Sequence, residues 1–205
     1  WSFLFGRDEA EVIAELERRA AANPISDWRE IAITGGLPRT VAMLQQERTR
    51  LLDDYVTAFV QRDVREVVAI DRVDRFEIFF RVVAARVGQE LNADGWSSEI
   101  AIPVTTTRRW LQVLERFYLI DMIPPYLRNS SHRVIKAPKI YMVDSGLALV
   151  AARETEPTGF HLENVIVADA AHWKGSAPNR ALYHWRLASG QEVDLVVEEN
   201  GALLP

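Results

Sequence analysis

Two acidic side chains near the end of the chain have the type and the setting to hold a hard cation. Glu163 lies in Phe160-His161-Leu162-Glu163-Asn164-Val165, near the start of an apolar run that predicts a helix over 162–173. Asp194 lies in Gln191-Glu192-Val193-Asp194-Leu195-Val196-Val197, an alternating β-branched run that predicts a strand. One carboxylate at a helix start and one on a hairpin strand are a common way to hold magnesium, with water completing the shell. The plainer reading is a helix acid favoured by the macrodipole and a solvent-facing strand acid. His161 and His184 flank the pair, but there is no cysteine and no His-x-x-x-His spacing. A transition-metal site is therefore the weaker reading of these histidines, and packing the stronger.

A second group is basic. Trp96 to Ile102 predicts a short helix, Ile102-Pro103 a turn, and Thr105 to Leu119 a longer helix with Thr105 or Thr106 as N-cap. Arg108 and Arg109 fall in the predicted first turn of that helix, where cations oppose the macrodipole unless an anion or a local acid answers them. Helix, short turn and a second helix that starts polar and basic form a helix-turn-helix pattern. The following runs, 122–127, 133–136 and 140–143, predict strands around an Asn129-Ser130-Ser131 turn, which completes a winged helix. Thr105, Thr106, Arg108 and Arg109, with Arg128, Arg133 and Lys136 at the tip, are the candidate nucleic-acid contacts, and Thr107 a further phosphate donor. The alternative use of such a module is protein contact.

The remaining elements position these groups. Helices are predicted over 9–22, 28–33, 50–68 and 71–91, the third with an apolar stripe of Leu52, Tyr55, Val56, Phe59, Val60, Val64 and Val67. Gly35-Gly36-Leu37-Pro38 reads as a turn or as a hinge. Asp144-Ser145-Gly146 leads into a helix over 147–152, and polar 153–159 marks a boundary before the final domain. Strands over 182–186 and 191–197 are joined at Ser189-Gly190, and Asn200-Gly201 leads into a third.

Composition narrows the classes. The 205 residues are 48% hydrophobic and 26% charged, with a net charge of −5, as in ordinary globular protein. Charge is uneven: Val104 to Tyr141 holds seven basic residues and two acids, whereas Met142 to Pro205 holds four and nine. A basic middle beside an acidic end points to two surfaces with different partners. The absence of cysteine excludes disulfides and thiolate metal sites and fits the cytoplasm. No apolar run approaches the roughly 18 residues of a membrane helix, so no membrane partner is expected. The chain opens on Trp1 and closes within a predicted strand, and reads as a fragment of a longer protein.

Four stretches carry a resemblance to a known family. They are Gly35-Gly36-Leu37-Pro38; Tyr55 through Gln61-Arg62-Asp63-Val64-Arg65-Glu66; Pro124-Pro125-Tyr126 with Asn129 and Lys136-Ala137-Pro138-Lys139-Ile140-Tyr141-Met142-Val143-Asp144-Ser145-Gly146-Leu147; and Leu162-Glu163-Asn164 with Tyr183-His184-Trp185-Arg186 and Glu192-Val193-Asp194. The chain resembles the C-terminal two-thirds of a prokaryotic AAA+ ATPase family with a conserved domain of unknown function. In that family a P-loop ATPase precedes a winged helix and a PD-(D/E)XK nuclease-like domain.

The resemblance implies an α+β chain. Residues 1–50 would be a remnant of ATPase lid and linker helices, 51–146 helices with the winged helix, and 147–205 an α/β nuclease-like domain. It makes Glu163 and Asp194 catalytic and metal-binding positions. The Gly-x-x-x-x-Gly-Lys-Ser/Thr loop and the family's Glu-x-Lys are absent, so the fragment is expected to be inactive alone and to carry no cofactor. ATP would belong to the parent's ATPase domain, and magnesium to a completed nuclease-like domain. The expected partners are DNA, that ATPase domain and further copies in an oligomer. The competing expectation is a protein-interaction module with a vestigial nuclease fold.

Overall fold

The computed structural model describes residues 1–22, 27–65, 73–127 and 137–204, the side chains of Phe3 and Glu9 excepted. Arg128, Arg133 and Lys136, with the predicted tip, lie outside the described residues. The α+β expectation holds: helices dominate, with two small antiparallel sheets.

Six aromatic rings organise the larger core. Phe59, Phe76, Phe79 and Phe80 gather around Trp110 and Phe117, with ring centroids 5.3 to 6.3 Å apart in tilted and edge-on pairs. The helices that deliver them are α4 (Gln45–Ala58) with its continuation, α5 (Val73–Ala84) and α7 (Val104–Arg116). Three others precede α4 in the chain: α1 (Glu9–Ala22), α2 (Trp28–Thr34) and α3 (Pro38–Val41). The predicted 50–68 helix starts earlier, at Gln45, and passes into a π-helical turn over Phe59–Val64. That wider turn buries Phe59, Val60 and Val64 together, while Tyr55, on the predicted stripe, stays exposed.

Helix α5 ends earlier than its apolar pattern predicts. Gly88 takes φ +75°, and Gln89–Glu90 turn away as strand β1. Helix α6 (Ala93–Ile100) follows, capped by Asn92, whose side chain accepts from Gly95 N at 2.9 Å. Ala101 to Pro103 turn the chain into α7. The predicted threonine cap is corrected here: Pro103 takes the N-cap position, and its fixed φ starts the helix at Val104. Thr105 and Thr106 are thus inside the helix, and Arg108 and Arg109 are its fifth and sixth residues.

Strands β2 (Ile120–Ile123) and β3 (Lys139–Met142) complete a sheet of order β1-β3-β2. The predicted 122–127 strand starts earlier and stops at Pro124-Pro125, which have no N–H to give a ladder. Period-two alternation makes this sheet a shared wall. Ile120, Ile140 and Met142 enter the aromatic core, while Ile123 and Tyr141 face a second core with Val167, Ala170, Leu182 and Val197. Helix α8 (Ser145–Ala152) packs into the first core through Leu147, Ala148 and Ala151.

The second core lies under α9 (Gly159–Gly175) and strands β4 (Arg180–Arg186), β5 (Glu192–Glu199) and β6 (Ala202–Leu204). These strands form a meander turned at Gly190 and at Asn200-Gly201, where both residues have positive φ. The N-terminal residues reach this unit: Phe5 stacks on Trp173, and Trp1 Nε1 donates to Asp169 Oδ2 at 2.7 Å. No helix among the described residues is long and apolar enough to cross a membrane.

Candidate functional site

Strand β3 begins with a lysine inside an apolar run, and its pleat decides where the ammonium goes. Lys139 and Tyr141 share one face of the strand, opposite Ile140 and Met142. That face meets α9, where Glu163 is the fifth residue rather than a helix-starting acid, because α9 begins at Gly159. Asp194 reaches the same point from β5. Lys139 Nζ donates to Glu163 Oε1 at 2.9 Å and to Asp194 Oδ1 at 2.6 Å. Tyr141 OH donates to the same Glu163 Oε1 at 2.5 Å. The lysine is 4% exposed, Glu163 16% and Asp194 50%, so the pair opens to solvent on the Asp194 side.

The electrostatics follow from that burial. Desolvation alone would push the Lys139 ammonium down, but its hydrogen bonds to Asp194 and Glu163 outweigh it and hold the group above its usual value. Burial and the adjacent Glu163 carboxylate push the Tyr141 phenol well up, so it remains a donor. Among the described residues no three His, Asp or Glu side chains converge as a metal cluster. Glu163 and Asp194 fit magnesium in the limited sense of two carboxylates aimed at one cationic point, with water and substrate oxygens left to complete the shell.

Neighbouring residues fix Glu163. Asn164 is fully buried and bonds both backbone groups of Met142: its Oδ1 accepts from Met142 N at 2.8 Å, and its Nδ2 donates to Met142 O at 3.0 Å. This ties α9 to β3 one residue from the carboxylate. Gly88 N donates to Ile140 O at 2.8 Å, and a Cβ at Gly88 would press on Phe160 and on Glu163 Oε2.

The site opens into a cleft of about 980 Å³. Arg86, Glu90, Trp96, Glu99, Phe160, Arg186 and Glu192 line it together with the carboxylate pair. Its ionisable lining has five acids and three bases, so it favours cations over a bare phosphate. Arg186 is engaged by Glu90 at 3.2 Å and Glu192 at 3.3 Å, and Arg86 by Glu99 at 2.5 Å.

The basic candidates sit elsewhere. Thr105, Arg108 and Arg109 are exposed on α7 and Thr106 is half-buried, and none of the four lines the cleft. Thr107, expected as a phosphate donor, is buried and shares a 2.8 Å hydrogen bond with Ser97 that joins α7 to α6. The two histidines are packed rather than paired as ligands. His161 Nδ1 accepts from Thr158 N at 3.1 Å within the α9 capping box. His184 Nε2 donates to Ala137 O at 2.9 Å.

Sequence reading placed Glu163 and Asp194 but missed Lys139, Tyr141, Asn164 and Gly88 as site residues. The available signal was Lys139 itself, since a lysine on the Tyr141 face of an otherwise apolar strand must find acids.

The profile of a family described as a domain of unknown function (DUF8612) matches residues 25–158, about two-thirds of the chain. That span includes Lys139 and ends before Glu163 and Asp194. Uncharacterized proteins of Mycobacterium bovis and Mycobacterium tuberculosis are each 26% identical over 207 residues, covering 97% of this chain and 46% of their own length. The chain thus spans about half the length of the curated relatives it matches. No solved structure matches.

Proposed function

We propose that this chain, which belongs to the DUF8612 family, is the nucleic-acid-engaging region of a larger prokaryotic AAA+ ATPase, with a carboxylate pair of the PD-(D/E)XK nuclease type beside a winged helix. The observation that carries the reading is the convergence of Glu163 and Asp194, from a helix and a hairpin strand, on one cationic point. Bound magnesium would supply the charge that polarises a phosphodiester. Glu163, held by Tyr141 and by the neighbouring Asn164 anchor, and Asp194, open to the cleft, would orient that ion and its water.

The element order supports the other half. The order helix α5, strand β1, helices α6 and α7, then β2 and β3 in a β1-β3-β2 sheet supports the winged-helix reading. Arg108 and Arg109 are exposed on the helix that would meet DNA. The test is fluorescence anisotropy of the chain with a labelled duplex at low and high salt, beside R108A/R109A. Binding that weakens in salt and in the variant is expected, with the salt slope reduced by about one for each phosphate that the variant no longer touches. No binding by the folded protein at low salt overturns the DNA half.

One observation favours a second reading, in which the nuclease-like fold is vestigial and the winged helix meets protein. Lys139 already answers both carboxylates from within, as a retired site would allow.

A further inference from the structure

We infer that Lys139 is an internal cation that holds the Glu163–Asp194 pair shut, and that a divalent ion reaches the pair by displacing its ammonium group. The inference rests on the carboxylate-pair reading above and adds the regulation of that site. The ammonium lies within hydrogen-bonding distance of both acids at the point a shared ion would take. One positive charge answers two negative ones there, whereas a divalent ion answers both.

The surroundings permit the exchange. The backbone beside Lys139 is pinned: Leu91 N donates to Pro138 O at 2.8 Å, and His184 Nε2 to Ala137 O. Only the flexible side chain has to move. The cleft it borders is lined by further carboxylates, Glu90 and Glu192, each paired with Arg186. Tyr141 OH continues to hold Glu163 Oε1 when the ammonium leaves, so one ligand stays aimed. Tethering gives the ammonium a high effective concentration, so it weakens ion binding without preventing it.

Two measurements test this. Manganese binding is measured by EPR for the native chain, K139M, and K139M/E163Q. K139M should bind at least about tenfold more tightly than the native chain, and K139M/E163Q should lose that gain. Equal affinities in native chain and K139M would leave the ion site standing and overturn the gate. No binding by either folded protein would overturn both the gate and the site reading. The second measurement needs no variant. The chain has three lysines, Lys136, Lys139 and Lys174, and Lys174 is exposed as an internal reference. Acetylation by an amine-reactive ester, read by mass spectrometry, should be slow at Lys139 and rise several-fold relative to Lys174 in millimolar magnesium, but not in potassium of equal ionic strength. An unchanged ratio at saturating magnesium overturns the inference even if K139M fails to fold.

Discussion

Lys139 and Asp194 are 55 positions apart in the chain and meet at 2.6 Å, the lysine buried and the aspartate half in solvent. The contact joins β3 of one sheet to β5 of the other through charge rather than apolar packing. Removing the ammonium in K139M leaves two carboxylates facing each other. Breaking a buried pair costs about 3–5 kcal/mol, and the exposure of Asp194 brings the expected loss down to about 2 kcal/mol at neutral pH. Urea denaturation at neutral pH reads the loss. A variant as stable as the native chain at neutral pH would mean that the triad contributes nothing to the fold.

Asn164 acts as a peptide-like bridge to Met142. In N164A both Met142 backbone groups lose their side-chain partner beneath α9, at a cost of about 2–3 kcal/mol. N164D should cost at least as much despite its identical shape, because an acceptor would then face the Met142 carbonyl oxygen. A loss in N164A with none in N164D would show that the Nδ2 bond is dispensable.

The Gly35-Gly36-Leu37 segment was open to a hinge reading, and the structure gives it a fixed anchor instead. Buried Asp144 accepts from Gly36 N at 2.6 Å, Leu37 N at 3.2 Å and Leu147 N at 2.7 Å, so one carboxylate caps α8 and holds the loop. D144A should lose about 2–4 kcal/mol. At Gly35, φ is +67° and a Cβ would overlap the Asp144 carboxylate, so G35A should lose about 2 kcal/mol or more. The G35A/D144A double variant should lose less than the two single losses added, since the clash needs the carboxylate. Thermal unfolding within 1 °C of the native chain in D144A would restore the hinge.

Local signals carried much of this architecture. The Asn200-Gly201 turn, the lead of Asp144-Ser145-Gly146 into α8 and the helices α5 and α7 are written in short spacings, which is why they could be read without a structure. Glu163 and Asp194 were legible as a pair from their types and settings, and the resemblance gave them catalytic and metal-binding roles. Lys139 was not, because its role depends on which strand face meets α9, a tertiary fact. Helix starts were misread where a proline outcompeted a threonine cap at Pro103, and where α9 began at Gly159 ahead of its apolar run.

His184 gives the chain a sensitivity to acid. It sits at the irregularity between Tyr183 and Trp185 in β4, where its backbone pairs with the segment after β2: its N donates to Pro124 O at 3.1 Å and its O accepts from Tyr126 N at 2.7 Å. Its ring donates from Nε2 to Ala137 O, just ahead of β3, so one residue joins both arms of the β2–β3 connection to β4. Nδ1 is buried with no partner, and a proton added there would find no acceptor. Burial chiefly, with Lys139 and Arg186 nearby, pushes His184 below its usual value of 6.5. The unfolded chain therefore takes up the proton first. Stability is full above about pH 6.5 and falls as pH drops from there toward the depressed folded value. His161, also lowered by burial, contributes in the same direction. H184Q keeps a donor for Ala137 O and does not titrate, so its melting temperature should fall less steeply between about pH 7 and 5, with the remaining slope due in part to His161. An unchanged slope in H184Q would assign the acid sensitivity to other groups.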